Sequence, residues 1–243
     1  MNADGPSSHT PRRILLKLSG EALAGDAASG IEPGKLHDFA SEIAALATDG
    51  LQIGLVVGGG NLFRGAQLAR SGLDRVTADH MGMLATVMNA LALSDQLNRV
   101  GAHARVMSAL AIEGVCDRYS RARALEALDA GTVVLFAAGT GNPFFTTDTG
   151  AALRAIEIGA DLMIKATQVD GVYSADPRTD PTATRFDRIG YNEAIRRGLG
   201  FMDLAAMVLA RDHGLRICVM NIHERGALRR LAAGEPVGSL IEA

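Results

Sequence analysis

The chain has 243 residues, 48% of them hydrophobic, with a formal net charge of −3 and two cysteines. A chain this long buries most of the surface that its unfolded form exposes, so it needs no disulfide or metal to hold a core. The charge balance argues against a general nucleic-acid binder, which usually shows a basic stripe, and no run reaches the roughly 20 apolar residues of a membrane span. Cys116 and Cys218 lack zinc-ligand spacing and cannot form a disulfide framework; both are expected to pack as small apolar residues. Residues 1–11 show neither the basic nor the apolar stretch of a signal peptide. They read as a disordered tail, followed by a single domain over 12–243, in the cytoplasm.

Along the chain, short apolar runs at Ile14–Leu18, Ile53–Val57, Ala104–Met107, Val133–Ala137, Leu162–Ala166 and Ile217–Met220 predict buried strands. Leu36–Thr48, Asp79–Val100, Arg121–Ala130, Asp148–Ile158 and Asp203–His213 read as helices. Strands alternating with helices predict right-handed crossovers and an α/β fold: a mainly parallel central sheet with helices on both faces, three layers in all. Ligands of such sheets bind beyond the carboxyl ends of the strands. Thr167–Tyr191 is polar and turn-rich and predicts an excursion of short strands and loops. In the helix Asp79–Val100, Met81, Leu84, Met88 and Leu91 form one apolar stripe and Met83, Val87 and Ala90 another. Two stripes mean burial on two sides, in a central core helix or at a subunit interface.

Four predicted strand ends carry polar chemistry. Lys17-Leu18-Ser19-Gly20 follows the first strand, Gly58-Gly59-Gly60-Asn61 with Arg64 the second, and Gly139-Thr140-Gly141-Asn142-Pro143 leads to Thr146-Thr147-Asp148; Lys165 and Thr167 close the strand at Leu162. One glycine turn can be purely steric, but its backbone N–H groups and the following helix N-terminus also suit an anion. Four such turns, with Lys17, Arg64 and Lys165 among them, point to a polyanion site. Neither a P-loop nor a dinucleotide fingerprint nor a nucleophile elbow is present. Phosphoryl transfer needs little beyond positioning and cations.

The segments Arg13–Leu23 (RILLKLSGEAL), Gly58–Gly65 (GGGNLFRG), Asp79–Ala90 (DHMGMLATVMNA), Gly139–Asp148 (GTGNPFFTTD), Lys165–Asp176 (KATQVDGVYSAD) and the region of Asp203–His213 resemble the bacterial UMP kinases of the amino acid kinase superfamily. The resemblance runs from about Arg12 to Ile241. It implies the amino acid kinase form of the fold, with a UMP-binding N-terminal part and an ATP-binding C-terminal part from about residue 140. It implies the reaction ATP + UMP to ADP + UDP in pyrimidine nucleotide biosynthesis.

By the same resemblance Lys17 and Lys165 bracket the transferring phosphoryl group and Asp148 orients them. Asp148 could alternatively, or also, cap its helix. Gly59, Asp79, Thr140, Gly141, Asn142, Pro143, Phe144, Phe145, Thr146 and Thr147 are implied on the UMP side, with Asp79 also a candidate cap. Lys17, Leu18, Ser19, Gly20, Gly60, Arg64, Thr167, Tyr173 and Asp176 are implied on the ATP side. Asp203 is expected to be a structural cap. Mg²⁺ is implied, held mainly by ATP phosphates, with no dedicated protein ligand set. GTP is implied as activator, through Gly25, Asp26, Ala27, Ala28, Ser29, Gly30, Arg99 and Arg105, and UTP as inhibitor, in a homo-oligomer that the family makes a hexamer. A non-catalytic storage or sensor relative of the same fold is the alternative.

Overall fold

A computed structural model describes residues 10–25, 27, 29–63 and 72–243. Strand β1 (Arg13–Leu18) lies in the middle of a nine-stranded sheet, between β2 (Gln52–Val57) and β6 (Leu162–Thr167), parallel to both. Beyond β2 come β5 (Val133–Ala137), β3 (Ala104–Ser108) and the short β4 (Asp117–Arg118). Beyond β6 come β10 (Ile217–Asn221), β11 (Ser239–Glu242) and β9 (Arg188–Gly190). Pairing is parallel throughout this sheet except between β10 and β11. A separate two-stranded hairpin, β7 (Val172–Tyr173) with β8 (Arg185–Phe186), makes up the turn-rich excursion.

Alternation along the strands sorts side chains between two cores. Ile14, Leu16 and Leu18 face one layer with Ile53, Leu55 and Val57. That layer holds α1 (Glu21–Ala24), α2 (Pro33–Thr48), α3 (Arg75–Arg99) and α8 (Ala227–Ala232). Leu15, Val56, Phe136 and Met163 face the other. Over them pack α4 (Arg121–Asp129), α5 (Thr147–Glu157), α6 (Tyr191–Arg196) and α7 (Leu204–Asp212). The expected three-layer α/β fold is therefore present.

Helix starts differ from the periodic segments because capping, not periodicity, sets them. Glu32 accepts the N–H groups of Gly34 and Lys35, and Pro33 takes the first helical position, so α2 begins before Leu36. Asp74 accepts the Thr77 N–H at 2.9 Å, which starts α3 ahead of Asp79. Asp79 is thus inside the helix and not its cap. Of the two stripes on α3, Met83, Val87 and Ala90 face the core, whereas Met81, Leu84 and Met88 are exposed. Cys218 is buried, as expected, but Cys116 is only partly so.

Candidate functional site

Register creates the centre of the site. Lys17 on β1 stands opposite Lys165 on the adjacent parallel β6, so both side chains leave the sheet on the same face, near the carboxyl ends of their strands. The N-terminus of α5 meets them there. Asp148 Oδ1 lies 3.0 Å from Lys17 Nζ, and Lys165 Nζ donates a short hydrogen bond to Asp148 Oδ2. All three side chains are largely buried, at 10–14% exposure. Burial works to raise the Asp148 pKa, but the two neighbouring ammonium groups outweigh it and hold the carboxyl below its ordinary 3.8. Burial lowers Lys165 below 10.5, reinforced by Lys17 and only partly opposed by Asp148. Two ammoniums on one carboxylate leave a net positive charge aimed out of the sheet, beside a helix N-terminus that also favours anions.

Asp148 does not cap α5. Thr146 does, its hydroxyl accepting the N–H groups of Asp148 at 3.1 Å and Thr149 at 3.3 Å. The Asp148 carboxylate is left to the lysines. Asp203 caps α7 through the Ala206 N–H at 2.9 Å, as expected. It also accepts the hydroxyls of Thr146 at 2.5 Å and Thr149 at 3.1 Å, so it holds the start of α5 in place. Nothing in the local sequence signals this second role, because its partners lie on another helix.

A cavity of about 310 Å³ opens next to this turn. Gly59, Asp79, Thr140, Asn142, Phe145, Thr146 and Thr147, which the sequence reading put on the UMP side, line it together with Gly60, which that reading put on the ATP side. Its wall also includes Phe63, Arg75, Gly82, Thr86, Ala138 and Gly139, which that reading did not include. The Asp79 carboxylate accepts the Phe144 N–H at 2.8 Å and pairs with Arg75 at 2.9 Å, tying the loop to α3. Phe144 contributes its backbone here, and its exposed ring lies under the Arg75 guanidinium at 5.6 Å. Gly141 turns tightly against Ala109. The glycines of the first two strand ends serve each other: a Cβ on Gly20 would lie 2.5 Å from the Gly58 carbonyl and from the Asn61 side chain. Asn61 and the fully buried Asn89 exchange amide hydrogen bonds beneath that contact, and Asn89 also donates to the Gly58 carbonyl at 2.7 Å.

The remaining expected residues are spread more widely. Thr167 closes a tight turn by donating to the Val169 carbonyl. The Tyr173 hydroxyl donates to Asp170, which pairs with Arg185 across the hairpin. Asp176 is bound by Arg178 in its own exposed loop. Arg64, Asp26 and Ala28 lie outside the described residues. Gly30 is held by Asn61, which donates to its carbonyl at 2.7 Å. Arg99 pairs with Asp95, and Arg105 with Asp117 beside a separate cavity of about 460 Å³. Among the described residues no group of three or more His, Cys, Asp or Glu could hold a metal ion, and no helix is long and apolar enough to cross a membrane.

A model of the amino acid kinase family matches residues 12–221, and the chain belongs to that family. Within it the likeness is to uridylate kinases. The uridylate kinase of Aeromonas salmonicida is 58% identical over 230 residues, 95% of this chain and 94% of that one. The solved UMP kinase structure from Bacillus anthracis superposes with a TM-score of 0.93 at 39% identity, covering 96% of this chain and 97% of its own. That from Ureaplasma parvum gives 0.90 at 32% identity, covering 96% and 99%.

Proposed function

We propose that the chain transfers the γ-phosphoryl group of ATP to the phosphate of UMP. An acceptor phosphate oxygen bonds to the γ-phosphorus, the bond to the β–γ bridging oxygen breaks, and ADP and UDP leave. The observation that carries this reading is the Lys17–Asp148–Lys165 cluster at the N-terminus of α5, whose preceding residues Thr146 and Thr147 line the cavity. One short helix turn thus joins a cationic cluster to a nucleotide-sized space. Charge on the transferring group's oxygens meets Lys17 and Lys165, held in place in advance and shielded from water. The 310 Å³ cavity takes the acceptor, with Asp79, Thr140 and Asn142 among its polar groups. The loop after β1, Gly60 and the β7–β8 hairpin take ATP, while Gly59 of the loop after β2 goes with the acceptor. The site's carboxylates are occupied by lysines, an arginine and hydroxyls, so a magnesium ion fits here as part of MgATP.

The same reading, supported by the likeness to uridylate kinases, gives a cytoplasmic enzyme of pyrimidine nucleotide synthesis, regulated by GTP and UTP and assembled as a hexamer. The exposed apolar stripe of α3 supports assembly. A coupled ADP-release assay with UMP, CMP, dCMP, aspartate and carbamate tests the reaction. UMP should be strongly preferred, because a pocket that hydrogen-bonds one base edge leaves buried groups unpaired against the other. Comparable kcat/KM for CMP, or turnover of a carboxylate, would overturn the assignment. No ADP release with any acceptor would favour a non-catalytic storage or sensor protein.

A further inference from the structure

The loop that lines the acceptor cavity starts in an unfavourable conformation. Ala138 and Gly139 are both left-handed, at φ +61° and +55°, and Gly141 and Phe144 follow at +80° and +71°. Glycine takes such angles freely, whereas alanine takes them only where the surroundings impose them. Phe144 has its restraint in Asp79, described above. The Ala138–Gly139 turn is gripped by two other side chains.

From α3, the buried Thr86 hydroxyl donates to the Met83 carbonyl at 2.6 Å, and its oxygen accepts the Ala138 N–H at 2.8 Å. The first bond fixes the hydroxyl rotor, so that a lone pair faces Ala138. From α5, the Arg154 guanidinium donates to the Gly139 carbonyl at 3.2 Å. Arg154 is only 5% exposed and is fixed on two further sides. It donates to Glu157 Oε2 at 2.5 Å and lies 3.8 Å over the Tyr119 ring. The Tyr119 hydroxyl donates to the same carboxylate oxygen at 2.6 Å. A planar guanidinium can stack on a ring and still donate in its own plane, which a lysine cannot do. Close packing completes the grip, since a Cβ on Gly150 of α5 would lie 2.9 Å from Gly139 Cα.

We propose that Thr86 and Arg154 are positioning residues for the acceptor nucleotide. By holding the Ala138–Gly139 turn they present residues 140–147 to the nucleoside monophosphate already ordered, which spares the binding step the cost of ordering them. The proposal rests on the reading of this cavity as the UMP site. Both residues act on the turn that begins this loop, and their bonds go to Met83, Ala138, Gly139 and Glu157, not to the loop after β1 or the β7–β8 hairpin, which serve ATP. Their influence is therefore confined to the acceptor.

Three substitutions test it. Thr86→Val keeps the shape but leaves the Ala138 N–H buried without a partner. Arg154→Lys keeps the charge beside Glu157 but loses the fork. Ala138→Gly removes the strain that the grip opposes. Thr86→Val and Arg154→Lys should each raise KM for UMP about 10- to 100-fold while KM for ATP stays within about twofold. Adding Ala138→Gly to Thr86→Val should recover part of the loss, because glycine relieves the strain of the left-handed turn while its N–H stays unpaired. A parallel rise in both KM values, or no recovery with glycine, would overturn the proposal. Hydrogen exchange gives a readout independent of substrate: amides of residues 139–147 should exchange faster in Thr86→Val than in the wild type, with the rest of the sheet unchanged. Unaltered exchange there would also overturn it. If the wild type turns over no UMP, the substrate reading fails, and hydrogen exchange still decides the grip. If Arg154→Lys does not fold, Thr86→Val with and without Ala138→Gly carries the test alone.

Discussion

Asp148 sits between two lysines with its helix capped by another residue, which makes it a clean probe of the chemistry. Asp148→Asn keeps the shape and leaves the Thr146 cap intact, so a fall in kcat would report the lost orientation of the lysines; a folded variant with near-wild-type kcat would overturn their joint role. Lys17→Ala and Lys165→Ala should each lower kcat by about 10²–10³ or more, with smaller changes in KM. The double variant should lose less than the product of the two, since groups acting as a unit are not additive. The pH dependence follows from Lys165. Its proton is disfavoured by burial and by Lys17, so the folded protein releases it below 10.5, and the ammonium costs stability at any pH below its folded value. The kcat/KM profile, which reports the free enzyme, should therefore fall on the alkaline side with a midpoint below 10.5. Asp148→Asn removes the opposing charge and should move that midpoint lower still. A flat profile up to 10.5 would contradict the assignment. The Asp148 carboxylate is favoured in the fold, so its stabilisation is present above 3.8 and is lost only as the pH falls through its lower folded value.

Helix α3 shows what an element adds to its residues. Its 25 residues carry two apolar stripes, and the structure separates them. Met83 is 8% exposed and packs in the core, whereas Met81, Leu84 and Met88 are 40%, 47% and 52% exposed. The face available to the proposed assembly is thus the Met81–Met88 stripe, not the one containing Met83. Met88→Glu should shift the wild-type oligomer to a smaller species in light scattering without unfolding it. Met83→Glu should instead lower the melting temperature, because it buries a charge in the core. A wild-type monomer at micromolar concentration would contradict assembly through this face.

Across the whole molecule, one hydroxyl joins the excursion to the main sheet. Ser239 on β11 is fully buried; its oxygen accepts the Val172 N–H at 2.8 Å and its proton goes to the Phe186 carbonyl. The β7–β8 hairpin is thereby fastened to β11, the strand next to the edge of the nine-stranded sheet. Ser239→Ala strands both backbone groups, at a cost of about 1–3 kcal/mol. That should lower the melting temperature by several degrees, at roughly 2–4 °C per kcal/mol for a chain of this size. It should also raise KM for ATP and leave KM for UMP unchanged, if the hairpin serves ATP. Equal effects on both substrates would remove the hairpin from the ATP side.

By itself the sequence determined the layers, because alternation and helical periodicity are local properties of the chain. It placed the glycine turns at strand ends, and its motifs carried the family and named Lys17, Asp148 and Lys165. Short or edge elements escaped it: β4, β9 and β11, and helices α1, α6 and α8, are too brief for a period to show. Only the tertiary structure decided that Lys17 and Lys165 share a face, since that follows from the register of strands distant in sequence. It alone assigned the cap of α5 to Thr146, turned Met83 inward, and brought Asp203, Thr86 and Arg154 to the site. A side chain acting through a backbone group on a remote loop leaves no periodic or motif signal, and becomes visible only when the sheet has brought the two together.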